Sequence, residues 1–393
     1  MLQSQLLANT VQLAPDAHLL FLNSAADPFV PVAAQQIPTG SITLAEDNIA
    51  ALQTALQHVG DRFIAPNIAP PGTSRSNVPV IIAPRGSIAL PGTDVGDGAE
   101  GAINRAPTVR HVAFHEYTSQ EPAATMDCAI LTMLYQPGNA WIHYGLALAA
   151  YALRPGGSLY VVGAKDRGVM TIAKHMQERF GNVETLEIHK GQRVVRSQQP
   201  AIPLLNAIPS AGDLLHAVFA QGKLDEGTRL LIEALDIHDD DDALDIGCGA
   251  GYLGLHIARL ARKGSVTMVD ASLAAVAMAH RSVLQSGLSG SRTIQIMPSD
   301  GVQAVSSQRF DLIVTNPPFH QGGIQTTAIA ERFIQGAAQV LRPNGRFYLV
   351  ANRFLKYEPT IRACFGTVEE VGGDTKYKVL RATPTSQTTP ANK

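Results

Sequence analysis

The sequence predicts an α/β protein built from two tandem doubly wound domains, the first a degenerate copy of the second. Three observations predict it. The second half alternates short apolar runs with segments of helical spacing. One of those runs leads into the glycine-rich turn Asp245-Ile246-Gly247-Cys248-Gly249-Ala250-Gly251. A block of the first half also repeats a block of the second almost residue for residue. Strands that are apolar on both faces and separated by helices belong to a parallel sheet covered on both sides.

The elements of the second half follow in order. Residues 243–246 are apolar and end in the glycine turn, and 252–262 carry helical apolar spacing. A strand over 265–269 ends at Asp270, and a helix over 273–285 is closed by Gly287. A strand over 293–297 ends near Asp300, and the nearly all-apolar strand 310–314 runs into Thr315-Asn316-Pro317-Pro318-Phe319-His320. A helix over 328–341 is stopped by Pro343-Asn344-Gly345, and a strand covers 346–351. Residues 375–381 alternate and read as a closing edge strand. The tail 384–393, made of Thr, Pro, Ser, Gln, Ala, Asn and Lys, reads as disordered.

The first half holds the faded copy. Leu153-Arg154-Pro155-Gly156-Gly157-Ser158-Leu159-Tyr160 matches Leu341-Arg342-Pro343-Asn344-Gly345-Arg346-Phe347-Tyr348, and Asp127-Cys128-Ala129-Ile130 matches Asp311-Leu312-Ile313-Val314. An internal repeat of this length implies related domains. The functional residues are absent from the copy. Met133-Leu134-Tyr135-Gln136 is expected where the second half has Asn-Pro-Pro-Phe, and the candidate strand 18–22 runs into Asn23-Ser24-Ala25-Ala26-Asp27 with no glycine turn. The expected boundaries are a degenerate domain over 1–197, a proline-containing linker over 198–210 and a second domain over 211–383. Residues 66–107 read as long loops around a short strand at 78–82.

Composition narrows the function. The chain has 393 residues, too many for one ordinary core. Hydrophobic residues make up 45% of it and charged residues 16%. It shows no apolar run long enough to span a membrane and no basic leader. Cys128, Cys248 and Cys364 are scattered, which fits a reducing cytoplasm and neither a disulfide framework nor a zinc site. No histidine or cysteine spacing calls for a metal. The net charge is −2, and the first Lys or Arg is Arg62, so nucleic-acid binding must rest on a local patch. Arg353 and Lys356, after the fifth strand, are the leading candidates for phosphate contact. Lys174, Arg179, Lys190, Arg193 and Arg196 are a second set. The acidic run 238–242 reads as a solvated loop.

Two stretches carry chemistry. A strand, tight glycines and a helix place backbone N–H groups and open space beside a ligand, where side chains at Gly247 and Gly249 would collide with it. Cys248 is a small residue within this turn. Asp245 can accept from an ammonium group, Asp270 stands where ribose hydroxyls are gripped in nucleotide-binding folds, and Ser299-Asp300 can meet an adenine amine. The glycines alone equally allow a dinucleotide, or a plain turn. The Asn-Pro-Pro-Phe turn narrows the choice. An exocyclic amine is a poor nucleophile because its lone pair is delocalised into the ring. The Asn316 side-chain oxygen and the Pro317 carbonyl can accept its two N–H groups, the prolines stiffen the turn, and Phe319 offers a face to stack on. In this order the two turns describe methyl transfer from S-adenosylmethionine to a planar amine, with His320 orienting the base or capping the turn.

Residues from about 219 to 382 resemble the catalytic domain of the ribosomal RNA guanine-N2 methyltransferases of the RsmC and RlmG type. The matching pieces are Lys223-Leu224-Asp225-Glu226-Gly227-Thr228, the 245–251 turn, Asn316 to His320 followed by Gly322, and Val350-Ala351-Asn352-Arg353-Phe354-Leu355. The resemblance implies two class I methyltransferase-like (Rossmann-like) domains, the first inactive. It implies transfer to N2 of a guanine in rRNA, with the small ribosomal subunit the commoner target. By it, Asn316, Pro317, Pro318 and Phe319 contact the flipped guanine, Gly247, Asp270, Asp300 and also Asn316 border the donor, and Asp225 and Thr228 lie near the donor's amino-acid end. A cytoplasmic monomer without metal is expected. Another planar amine, such as adenine N6 or a protein glutamine, and a non-catalytic RNA-binding assembly factor remain the alternatives.

Overall fold

The computed structural model describes residues 1–59, 107–202, 208–219, 224–288, 294–318, 320–321, 324–325 and 327–384. The expected strand at 78–82 with its loops, residues 203–207 of the expected linker, Lys223, Phe319, Gly322 and the tail from 385 lie outside the described residues. The chain divides into two compact units, Met1–Glu46 with Ala51–Ala211 and Asp47–Ala50 with Gly212–Lys393.

Up to residue 198 the chain runs through α1 (Leu2–Thr10), β1 (His18–Leu22), α2 (Phe29–Gln36), β2 (Ser41–Glu46), α3 (Ile49–Val59), β3 (Thr108–Ala113), α4 (Tyr117–Gln120) and β4 (Met126–Thr132). It continues with α5 (Asn139–Ala152), β5 (Leu153–Ala164), α6 (Val169–Phe180), β6 (Glu184–His189) and β7 (Gln192–Gln198). Residues of the expected linker are fastened to this unit: Gln199 exchanges backbone bonds with Gly156 and Gly157, and the Thr118 hydroxyl donates to the Pro209 carbonyl at 2.9 Å. The second stretch holds α7 (Ala211–Phe219), α8 (Glu226–Ala234), β8 (Ala243–Ile246), α9 (Tyr252–Leu260), β9 (Val266–Asp270), α10 (Leu273–Gln285) and β10 (Ile294–Pro298). Then come β11 (Phe310–Thr315), β12 (His320–Gln321), β13 (Ile324–Gln325), α11 (Ala328–Val340), β14 (Leu341–Asn352), α12 (Glu358–Phe365), β15 (Glu369–Gly373) and β16 (Tyr377–Ala382).

The two large sheets have one topology. Strand order is β3-β2-β1-β4-β5-β7-β6 in the first and β10-β9-β8-β11-β14-β16-β15 in the second. In each, the first five strands are parallel and the last two pairings antiparallel. The inner parallel strands β8, β9 and β11 are buried on both faces, as their apolar runs require. Strand β11 exposes no side chain beyond the partly covered Asp311. On one face of the second sheet the Phe347 and Phe365 rings stack at 5.0 Å and join β14 to α12. Full burial of such a ring contributes about 2–3 kcal/mol.

The sequence pattern misplaces one edge. The strand expected at 375–381 is β16, and it lies inside the sheet between β14 and β15. The real edge, β15, reads Glu369-Glu370-Val371-Gly372-Gly373. Glutamate and glycine are depleted in strands. Pairing with β16, not local propensity, makes it a strand.

The repeat extends to single interactions beneath the sheets. The His18 N–H donates to Asp127 Oδ2 at 2.7 Å, and Arg154 pairs with the same carboxylate at 2.5 Å. In the second unit the Asp242 N–H donates to Asp311 Oδ2 at 3.0 Å, and Arg342 pairs with both Asp311 and Asp242. Gly40 and Gly264 are a further equivalent pair. A Cβ at Gly40 would stand 2.1 Å from the Ala17 carbonyl oxygen, and one at Gly264 only 1.8 Å from that of Asp241. No rotation of a side chain relieves a clash with backbone. Gly264→Ala is therefore expected to destabilise the second unit by at least about 2 kcal/mol. Urea unfolding measures this, and an unchanged midpoint would contradict the packing described.

Among the described residues no helix is long and apolar enough to cross a membrane, and no three His, Cys, Asp or Glu side chains are grouped to hold a metal.

Candidate active site

In the second sheet the strand order reverses between β8 and β11. The crevice above the C-terminal ends of such strands is where doubly wound folds bind ligands. Both predicted turns lie there. The Gly247 and Cys248 N–H groups donate to the Val269 carbonyl at 2.8 and 3.0 Å, curling the chain off β8 over β9. Gly247, Gly249 and Gly251 take φ of +74°, +55° and +82°. This region is costly for a residue with a side chain. Asp270 fastens the turn: Oδ2 accepts from the Gly249 N–H and Oδ1 from the Ser272 N–H, each at 2.9 Å. A Cβ at Gly249 would meet nothing within 4 Å, so the space above this glycine is open.

The other donor-side residues have distinct settings. Asp245 is buried, and its Oδ2 accepts the Gly254 N–H of α9 at 3.0 Å. Burial, and then the neighbouring Asp270 charge, raise its carboxyl to about 7 against the lowering effect of the Gly254 bond. Burial likewise raises Asp270. The Cys248 thiol is buried and pushed well above its ordinary value, so it stays a neutral filler and not a nucleophile. The Ser299 hydroxyl donates to the Gly301 carbonyl at 2.9 Å and accepts the Ala304 N–H at 3.1 Å, so it shapes the turn after β10. Asp300 pairs with Arg332 of α11 at 3.0 Å. Phe333 was not foreseen. A Cβ at Gly247 would stand 3.2 Å from its ring and one at Gly301 3.7 Å away, so this one ring lies against both turns. Its helical apolar spacing marked it only as core.

On the acceptor side the Thr315 hydroxyl donates to the Ile246 carbonyl at 2.8 Å and ties the bases of the two turns together. Asn316 is half-buried, Pro317 buried and Pro318 exposed. The Asn316 Nδ2 donates to Asp225 Oδ1 at 3.1 Å and to Thr228 Oγ1 at 2.9 Å. Asp225 is the N-cap of α8 and accepts the Thr228 N–H at 3.0 Å, satisfying one of the helix's open donors. His320 lies in β12, opposite Gln325 of β13. Beyond β14, Arg353 is held by Glu370 at 2.8 Å and by the Asp374 carbonyl, while Lys356 is exposed. Phe354, between them, is 59% exposed. The structure thus brings Asp225, Thr228, Asp245, Gly247, Cys248, Gly249, Asp270, Ser299 and Asn316 to the C-terminal ends of the parallel strands, and places Arg353 and Lys356 beyond the end of β14.

The same place in the first unit is filled. Asn23 takes φ +48° where Gly247 takes +74°, and its N–H donates to Ala45 at 2.7 Å. The Ala25 N–H donates to Glu46 Oε2 at 2.9 Å, as Gly249 does to Asp270. Register shifts the expected correspondence by one residue. Phe21 pairs with Ile130 in β1–β4 and Ile246 with Thr315 in β8–β11, so Thr132, not Met133, stands at the position of Asn316. Its hydroxyl donates to Asp27 at 2.8 Å. Gln136 donates to the carbonyls of Leu22, Asn23 and Thr132, each at 3.1 Å. Ser24, Asp27, Glu46, Thr132 and Gln136 are all buried.

A family model described as "Methyltransferase small domain" matches residues 214–381. A Ribosomal RNA small subunit methyltransferase C of Pseudomonas entomophila is 33% identical over 276 residues, spanning 67% of this chain and 80% of its own. The chain belongs to the ribosomal RNA small subunit methyltransferase C family. Another member, from Hahella chejuensis, is 33% identical over 251 residues, covering 60% of this chain and 72% of its own. A solved structure of a T. thermophilus 16S rRNA N2 methyltransferase (RsmC), in complex with AdoMet and guanosine, is 26% identical with a TM-score of 0.71. It aligns with 98% of this chain and 92% of its own, so its likeness to this family member extends over both units.

Proposed function

We propose that this protein transfers the methyl group of S-adenosylmethionine to the exocyclic N2 of a guanine in 16S ribosomal RNA. The observation that carries the reading is the placing of the open glycine turn beside the Asn-Pro-Pro turn at the point where strand order reverses, tied by the Thr315–Ile246 bond. Family membership supports the same chemistry, and the likeness to a structure holding AdoMet and guanosine supports donor and acceptor class.

The residues present fit the donor. The open space at Gly249 admits a ligand against backbone N–H groups, and the buried Asp245 and Asp270 suit a cationic one. When bound, S-adenosylmethionine supplies an electrophilic methyl whose C–S bond breaks with its electron pair left on sulfur as the amine nitrogen forms its new bond to carbon. Asp270 grips ribose hydroxyls at the end of β9, and Asp300 and Ser299 border the adenine. Asn316 Oδ1 and the Pro317 carbonyl accept from the guanine amine, Phe319 and His320 border the base, and the charge that develops on nitrogen leaves as a proton to water. No strong base is required, because alignment and fixed dipoles supply most of the rate. The base must be extruded from its stack to reach Asn316. Arg353 and Lys356 contact phosphate, and the first domain docks RNA or supports the second. The protein acts as a cytoplasmic monomer.

Asp245 makes donor binding pH-dependent. Its carboxyl titrates near 7 in the folded chain against 3.8 unfolded, so the folded state alone carries the proton between those values. The stability this group contributes therefore falls as pH rises from about 4 to 7 and is constant above. A cationic donor favours the ionised form, so donor affinity is expected to rise several-fold, at most about tenfold per unit, between about pH 6 and 7.5. Calorimetric titration of the wild type and Asp245→Asn checks this. An equal slope in both would remove Asp245 as the cause.

The deciding experiment is transfer from labelled S-adenosylmethionine to small-subunit particles, large-subunit particles and free rRNA, followed by nucleoside mass spectrometry. N2-methylguanosine in 16S rRNA is expected. Methylated adenine or methylated protein would replace the acceptor in this reading, and donor binding without any turnover would reduce the protein to a binding factor.

A further inference from the structure

The Asn316 amide has two unlike ends. Only its oxygen can accept from an acceptor amine; its nitrogen would oppose that amine donor to donor. The two orientations of an amide have the same shape, and its hydrogen-bonding neighbours choose between them. Nδ2 lies 3.1 Å from Asp225 Oδ1 and 2.9 Å from Thr228 Oγ1. The carboxylate is an acceptor. The single hydroxyl hydrogen of Thr228 is directed to Asp225 Oδ2, so the hydroxyl shows Asn316 a lone pair. Both groups facing the amide are thus acceptors. The turned amide would set Oδ1 against two oxygens and lose both bonds.

The acceptor pair is itself rigid. Asp225 caps α8, and its Oδ1 also accepts the Thr228 N–H at 3.0 Å. Gly227 lies in this seam: a Cβ there would stand 3.2 Å from Asp225 Oδ1, a tight approach, and in ordinary contact with Asn316 Nδ2 at 3.5 Å and the Tyr377 ring at 3.6 Å. The helix start is therefore packed directly against the Asn-Pro-Pro turn. Donation to a carboxylate also draws electrons through the amide and leaves its oxygen more negative.

We propose that Asp225 and Thr228 are positioning residues that lock the Asn316 amide with its oxygen toward the acceptor amine. The proposal rests on the methyl-transfer reading and deepens it, and it assigns to these two residues a role other than holding the donor's amino-acid end. They act through Asn316, so their loss slows transfer while leaving the glycine turn and donor binding intact.

The test compares Thr228→Val, which keeps shape and removes the hydroxyl, with Thr228→Ser, which restores it. For each, kcat, the KM for RNA and the calorimetric donor affinity are measured, and the Asn316 side-chain amide is followed by nitrogen-15 NMR. Thr228→Val is expected to lower kcat about ten- to a hundredfold with donor affinity within about twofold. Its Asn316 amide protons are expected to lose their protection from solvent exchange. Thr228→Ser is expected to recover both. A Thr228→Val with normal kcat and weakened donor affinity would overturn the proposal and return Thr228 to the donor site. Equal impairment of the serine variant would overturn it in favour of a packing role. A wild type that forms no N2-methylguanosine would instead sink the functional reading, and with it any positioning role.

Discussion

Asn316→Ala is expected to lower kcat about a thousandfold while donor affinity stays within about twofold of wild type. The separation follows from where the side chain sits. Its nitrogen is bonded to Asp225 and Thr228 of α8 and its cap. Truncation removes an acceptor placed for a charge that exists only as the methyl group transfers, which is the kind of contact that acts on kcat. Stability changes little because Asn316 is only half-buried and water can satisfy Asp225 and Thr228 in its absence. Single-turnover transfer to 16S rRNA, with donor binding measured on the same sample, reads both quantities. Activity within about tenfold of wild type would mean that the acceptor amine is held elsewhere.

The second large effect belongs to Gly249. A Cβ at this position meets no protein atom within 4 Å, and φ is +55°. A β-branched residue there bears backbone strain of about 1–2 kcal/mol but no clash. The damage of Gly249→Val falls on whatever fills the open space. Donor affinity is expected to drop at least about a hundredfold, with the fold and the unfolding cooperativity retained. Gly264→Ala gives the opposite signature, since its Cβ meets the Asp241 carbonyl within the protein. Calorimetry and urea unfolding on the two variants separate a ligand-facing glycine from a packing one. Full donor affinity in Gly249→Val would place the ligand away from this turn.

Much of this was legible in the sequence, for physical reasons that differ by element. The strands β8, β9 and β11 are buried on both faces, so their apolar runs announce them. The two turns are legible because chemistry restricts them to glycine, asparagine and proline. The edge strand β15 was not, because its acids and glycines carry no strand signal and β16 imposes the pairing. Phe333 was hidden because a ring supporting a ligand turn has the same helical spacing as any core residue. The link from Asp225 and Thr228 to Asn316 joins residues 91 and 88 apart in sequence, which no local pattern reveals. The place of Thr132 already followed from the match of Asp127–Ile130 to Asp311–Val314, carried two residues on, and strand register fixes it.

The filled turn of the first unit sets how each half answers to metabolism. The Ala25 N–H, the Thr132 hydroxyl and the Gln136 amide nitrogen are bonded within the unit, so protein atoms fill that turn. The glycine turn of the second unit is left open. A small molecule strengthens only the fold that binds it, in proportion to the logarithm of its concentration. The durability of the second half therefore tracks the supply of methyl donor, while that of the first is constant. In a starved cell the catalytic half would lose this increment of protection against proteases that sample opened chains, and the copy that lost its chemistry has no such increment to lose.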